Sequence, residues 1–176
     1  MKARKGIVLG LGISAAVLTI VAYAAIPTIV AFGTIAHSEV FNGPATVTVR
    51  QFVITHGEVL PWHYHPGIVF NVVKRGTLTV EDGCGGEETL LSGQAFEELH
   101  GHIHRGKNLT SEDVEVYNTF VIPDGLPTTV NIPGNQRLCG PPTTAADCKK
   151  GGWAKFTFPR SFANQGDCQQ YVITGK

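Results

Sequence analysis

Short runs of β-branched and apolar residues, each cut off by a glycine or proline turn, constrain this chain more than any other feature. Residues 45–54 are rich in Val, Thr and Ile and alternate in part. An apolar run over 67–73 stops at Lys74-Arg75-Gly76, and residues 77–80 close at Glu81-Asp82-Gly83, where Asp-Gly is a hairpin signal. Residues 88–91 precede Ser92-Gly93, residues 95–99 follow, and an alternating run over 113–122 ends at Pro123-Asp124-Gly125. Strands this short, with turns at these intervals, predict an all-β sandwich or barrel. With 21 Gly, 10 Pro and only 16% charged residues, the composition suits strands and turns rather than helices. Outside the leader no stretch has a convincing helical period.

The N-terminus is a separate object. Met1-Lys2-Ala3-Arg4-Lys5 is basic, and residues 6–36 carry no charge. Two readings stand. One is a secretory signal cut after Ala24, with Ala22-Tyr23-Ala24 as the small-x-small site. The other is an uncleaved hydrophobic helix anchoring the chain through residues 6–32, since the run exceeds the ~20 residues that span a bilayer. Both export the rest of the chain to a secreted, periplasmic or other extracytoplasmic location. The sequence thus divides into a leader or anchor (1–36), a β-barrel (37–131) and a Cys-containing C-terminal module (132–176).

Export sets how the cysteines are read. Cys84, Cys139, Cys148 and Cys168 are even in number and contain no Cys-x-x-Cys pair, so disulfides are expected and a zinc ribbon is not. Of three possible connectivities, Cys148–Cys168 with Cys84–Cys139 is favoured because the first pair closes a compact local loop. Formal net charge is zero, which offers nothing to nucleic acid. There is no Gly-x-Ser-x-Gly frame and no glycine loop opening a helix, so neither a serine hydrolase nor a phosphate-binding loop is indicated.

The chemistry lies in the histidines. His63 and His65 are two apart in strand-like sequence, so both imidazoles share one face. His100, His102 and His104 form a second cluster. His63, His65 and His104 are the candidate ligands of a divalent transition metal: Fe, Ni, Zn, Cu or Mn. His102 is a further candidate, as a fourth ligand or as a donor orienting one. His100 falls in a turn. Glu97 and Glu98 are read either as solvated carboxylates or as a source of one acidic ligand, since alternation turns one of them inward. Trp62, Tyr64, Val69 and Phe96 are candidate walls of a substrate pocket, although Trp62 is also placed to cover a barrel end. Asn108-Leu109-Thr110 fits a glycosylation sequon.

The spacing resembles the two motifs of the cupin superfamily. Gly57, His63, His65 and Gly76 match the first, G-x5-H-x-H-x3,4-E-x6-G, with Val69 in the glutamate slot. Gly93, Gly101, His104 and Asn108 match the second, G-x5-P-x-G-x2-H-x3-N, with Leu99 in the proline slot. Trp62-His63-Tyr64-His65-Pro66-Gly67 is similar to a group of small bacterial cupins that often lack the glutamate. The tail Cys148-Lys149…Gly151-Gly152-Trp153 to Asn164-Gln165-Gly166-Asp167-Cys168 resembles a short module of exported bacterial proteins. The resemblance implies a double-stranded β-helix (a jelly-roll barrel), a metal held by neutral histidines, and often a homodimer. It implies a small-molecule ligand and, if the protein is an enzyme, a dioxygenase-like oxidoreductase. The alternatives are a non-catalytic metal- or ligand-binding module, and a structural protein whose mouth is shut by Trp62, Phe70 and Phe96.

Overall fold

The computed structural model describes residues 27–176; the cleavage site after Ala24 and most of the apolar leader lie outside them. Two five-stranded antiparallel sheets face each other. One has the order β1 (Thr28–Ser38), β2 (Gly43–Ile54), β9 (Val114–Pro123), β4 (Ile68–Arg75), β7 (Ala95–Glu98). The other runs β10 (Val130–Asn131), β3 (His63–Tyr64), β8 (His104–Lys107), β5 (Thr77–Asp82), β6 (Glu87–Leu91). Apart from the β1–β2 and β5–β6 hairpins, successive strands alternate between sheets, which is the jelly-roll arrangement.

The sequence boundary at residue 36 falls inside a strand. Thr28, Ile29, Val30, Thr34 and Ile35 are β-branched, and β1 pairs along β2 from Thr28 opposite Gln51 to Ser38 opposite Gly43. Residues 28–36 therefore pair within the sheet. Among the described residues no helix is long and apolar enough to cross a membrane.

Register explains what faces inward. In β9 every second residue is buried, and in β4 Val69, Asn71 and Val73 are buried. Directly opposed residues of an antiparallel ladder share a face. Three rows therefore cross the first sheet on its inner side: Thr48–Phe120–Val69–Glu98, then Arg50–Asn118–Asn71–Phe96, then Phe52–Val116–Val73. The third row joins Ile54, Leu78, Leu90 and Val114 in the main apolar core. Val69, Phe120 and Ile122 form a second apolar cluster.

The tail forms a third layer over the second sheet. Trp62, Ile103 and Ile132 are buried together, with Tyr64, Leu138 and Phe158 against them. The disulfides are Cys84–Cys139 and Cys148–Cys168. The first ties the β5–β6 turn to the tail; the second closes the tail's own core of Phe156, Phe162 and the cysteines. That core also carries one helix, α1 (Gln165–Thr174), which the sequence reading left out. Only Cys168 is fully buried along α1, with Tyr171 and Val172 partly buried against the same core, a stripe too short to read as a helical period. It is also held by its disulfide and by the Asn164 side chain, which accepts the Asp167 amide at its start.

Asn108 is a structural residue. It is fully buried; its amide donates to the Ile54 and Glu112 carbonyls, and its oxygen accepts from the Thr110 amide and hydroxyl. This leaves no room for a glycan in the folded chain. Asn108→Ala orphans those buried partners, and a loss of about 3 kcal/mol is expected in denaturant unfolding.

Candidate metal centre

His63 and His65 flank Tyr64 at the start of the second sheet, and His63 is the direct cross-strand partner of His104 on β8. Alternation turns both β3 histidines into the barrel. The three are buried, and one ligand atom from each lies within 4.8 Å of the other two. Their ring centroids are 4.5 Å (His63–His104), 5.0 Å (His63–His65) and 5.0 Å (His65–His104) apart.

The backbone orients every ring. Nδ1 of His63 donates to the Pro61 carbonyl (2.7 Å), that of His65 to the Thr128 carbonyl (2.6 Å), and that of His104 to the His102 carbonyl (2.9 Å). A carbonyl only accepts, so each Nδ1 carries a proton, and in the neutral ring it is Nε2 that presents the lone pair. This is how proteins fix imidazoles that ligate a metal. Burial, and then the neighbouring His104 and His65, lower the His63 pKa to about 3. His63 thus stays neutral throughout the ordinary pH range.

A carboxylate borders the cluster. Glu98 of β7 reaches across from the opposite sheet, with Oε2 3.3 Å from His65 Nε2 and Oε1 3.1 Å from His104 Nε2. The latter approach is an ion-pair contact rather than a well-directed hydrogen bond, for His104 Nε2 has no hydrogen-bond partner. Burial works against a charged Glu98, but His104 and His65 outweigh it and hold its carboxyl well below the ordinary range. Burial also works against a charged His104, and Glu98 outweighs it in turn, raising the His104 pKa. Glu98 is the cross-strand partner of Val69. The acidic side chain missing from the Val69 position is supplied one strand over, on the same face. The three histidines thus have a carboxylate beside them, as the second reading of Glu97 and Glu98 allowed. Glu97, its neighbour, is exposed.

Other sequence candidates fall elsewhere. His102 precedes the strand, which begins at His104, so the two-residue alternation does not reach it. Its side chain faces a separate cavity of about 190 Å³ beside Asp82 and Asp147, and only its carbonyl serves the centre. Trp62 and Tyr64 point away from the histidines by the same alternation that turns His63 inward. Trp62 is buried under the tail with Arg105 stacked 4.4 Å from its ring, and Tyr64 packs on Phe158. Val69 is sealed against Phe120 and Ile122. Of the four pocket candidates only Phe96 lines the cavity at the histidines.

That cavity is about 50 Å³. Arg50, Asn71 and Asn118 line it between the Glu98 row and the apolar floor. A mouth of about 210 Å³ adjoins it, sharing Arg50, Phe52, Leu60 and His63. The sequence reading missed Arg50, Asn71 and Asn118. Their signal was present: each sits at an inward position in its strand's alternation, where a polar side chain is unusual.

Residues 50–122 match the family model of the Cupin domain. They form a cupin domain. Among solved structures, a cupin superfamily protein from Desulfitobacterium hafniense DCB-2 is 12% identical, with 56% of this chain and 78% of that chain covered and a TM-score of 0.43. An uncharacterized conserved protein with a double-stranded beta-helix domain from Klebsiella pneumoniae is 18% identical, covering 61% and 83%, at a TM-score of 0.45. An oxalate oxidase in complex with the substrate analogue glycolate is 19% identical, covering 49% and 46%, at 0.43. No curated protein matches the sequence. The cupin motif glycines have a common cause: Gly57, Gly76, Gly93 and Gly101 all have positive φ. At Gly76 a Cβ would also sit 2.8 Å from the Asp113 carbonyl oxygen, so the turn between β4 and β5 accepts no side chain.

Proposed function

We propose that this protein is an exported metal-binding cupin that acts as an oxygenase-type enzyme on a small organic molecule. The observation that carries the reading is the convergence of three Nε2 lone pairs, each fixed by a carbonyl at Nδ1. His63, His65 and His104 hold the divalent metal, and Glu98 lends it a carboxylate and a negative charge. A bound ferrous ion supplies oxygen activation and open positions for substrate. The apolar core beneath the cavity keeps bulk water away, and the mouth admits a ligand of few atoms. Phe70 is exposed and Trp62 turns away, so neither blocks that mouth, which counts against a barrel packed shut. The two disulfides fit an oxidising, extracytoplasmic compartment.

The test is oxygen uptake by tag-free protein reconstituted with ferrous iron. Uptake that depends on an added small enolisable substrate, and disappears in His104→Ala, is expected. The modest cavity of about 50 Å³ favours a second reading, a non-catalytic metal or ligand carrier. Retained metal with no turnover under iron, nickel, copper or manganese would establish that one instead.

A further inference from the structure

The inner row Arg50–Asn118–Asn71 has more hydrogen-bonding capacity than the protein uses. Arg50 Nε, Asn71 Nδ2 and Asn118 Oδ1 are buried without partners, and all three side chains line the cavity at the histidines. Asn118 donates to Asn71 Oδ1 at 2.5 Å. Exchanging the two amides end for end still leaves the pair one free donor and one free acceptor. Arg50 takes part in no ion pair among the described residues. Its guanidinium carbon instead lies over two aromatic rings, 4.4 Å from the Phe120 centroid and 5.4 Å from that of Phe52. A part-buried guanidinium over aromatic rings, with a buried free Nε–H, is a pre-organised donor for a planar anion. Buried polar groups in natural proteins are satisfied, so the row points to a partner that enters from outside. Arg50 lines the mouth as well as the inner cavity, which places the donor on the entry path.

We propose that Arg50, with the Asn118–Asn71 pair, is the binding subsite for the carboxylate of a small organic acid, whose remaining atoms face the histidine centre. This rests on the reading of that centre as the reactive site. The Arg50 Nε–H and the free asparagine N–H take the carboxylate oxygens. The free asparagine oxygen accepts from a hydroxyl on the same ligand. An uncharged analogue loses the charge-assisted contact and leaves the donor empty.

The experiment is calorimetric titration of acetate, with acetamide as the neutral control and chloride as competitor, on metal-loaded and on chelated protein. Acetate is expected to bind, acetamide not, and Arg50→Gln to weaken acetate roughly 10- to 100-fold in both forms. Acetate binding unchanged in Arg50→Gln, absent from wild type, or equalled by chloride overturns the subsite. Binding that vanishes with the metal yet survives Arg50→Gln also overturns it while sparing the metal reading. Binding that needs Arg50 in protein unable to take up metal upholds the subsite and fails the metal reading. If Arg50→Gln does not fold, the Arg50 Nε–H resonance of wild type decides. It shifts on acetate and not on acetamide or chloride if the subsite is real, and otherwise stays put.

Discussion

Replacing His63 with alanine is expected to empty the metal centre. His63 touches both other imidazoles, pairs directly with His104 across the sheet, and is the ligand least compromised by protons, with a pKa lowered to about 3. Two histidines and a carboxylate remain, but the cavity between the sheets is rigid and cannot draw them together. Residues that merely orient a ligand contribute roughly 10- to 100-fold in metal affinity; loss of a ligand should exceed that range. Elemental analysis of tag-free protein should find near-stoichiometric metal in wild type and a trace in His63→Ala. The fold should persist, because the removed ring borders a cavity rather than the main apolar core. Absence of metal from both proteins, even after reconstitution with iron, nickel and zinc, would defeat the proposal.

Glu98→Gln is the second large effect. The amide keeps the shape and removes the charge that faces His65 and His104. Metal affinity should fall roughly 10- to 100-fold, as for other groups that tune a ligand set. The metal-free protein adds an independent readout. A carboxyl whose folded pKa is depressed stabilises above its unfolded value, about 4.3, and the benefit is lost as pH falls through the folded value. A histidine whose folded pKa is raised stabilises below about 6.5, and the benefit is lost as pH rises through the folded value. Glu98 is depressed and His104 raised, each by the other. Chelated wild type should therefore be most stable between those two folded pKa values. Thermal melts of chelated Glu98→Gln should show a flatter curve over the same interval, and an unaltered profile would remove Glu98 from the centre. Metal entry displaces the proton shared by this pair, so uptake should release acid in wild type and less in the variant.

The histidines were legible because strand alternation and motif spacing are both one-dimensional. Glu98 was only half legible. Alternation required Glu97 or Glu98 to turn inward, but the choice depended on the Val69–Glu98 register, which joins residues far apart in the chain. The same limit hid Arg50, Asn118 and Asn71, a row visible only once three strands are laid side by side. His102 misled because a two-residue spacing was read as strand where the strand had not begun. The β1 strand was hidden by composition: an unbroken uncharged run looks alike whether it enters a membrane or a sheet. Helix α1 was silent because its apolar face is only Cys168, Tyr171 and Val172, a single turn that a disulfide and a cap reinforce.

The tail's position alters what can be cut away. Ile132, Leu138 and Phe158 cover Trp62, and the Ile132 amide bonds the Trp62 carbonyl at 2.8 Å, one residue from His63. Ending the chain at residue 131 would strand Trp62 and Ile103 on a wet surface directly behind His63 and His104. Barrel and tail are thus one inheritable unit: a fusion, transplant or minimal version must carry both, and changes in the tail can reach a histidine cluster they never touch.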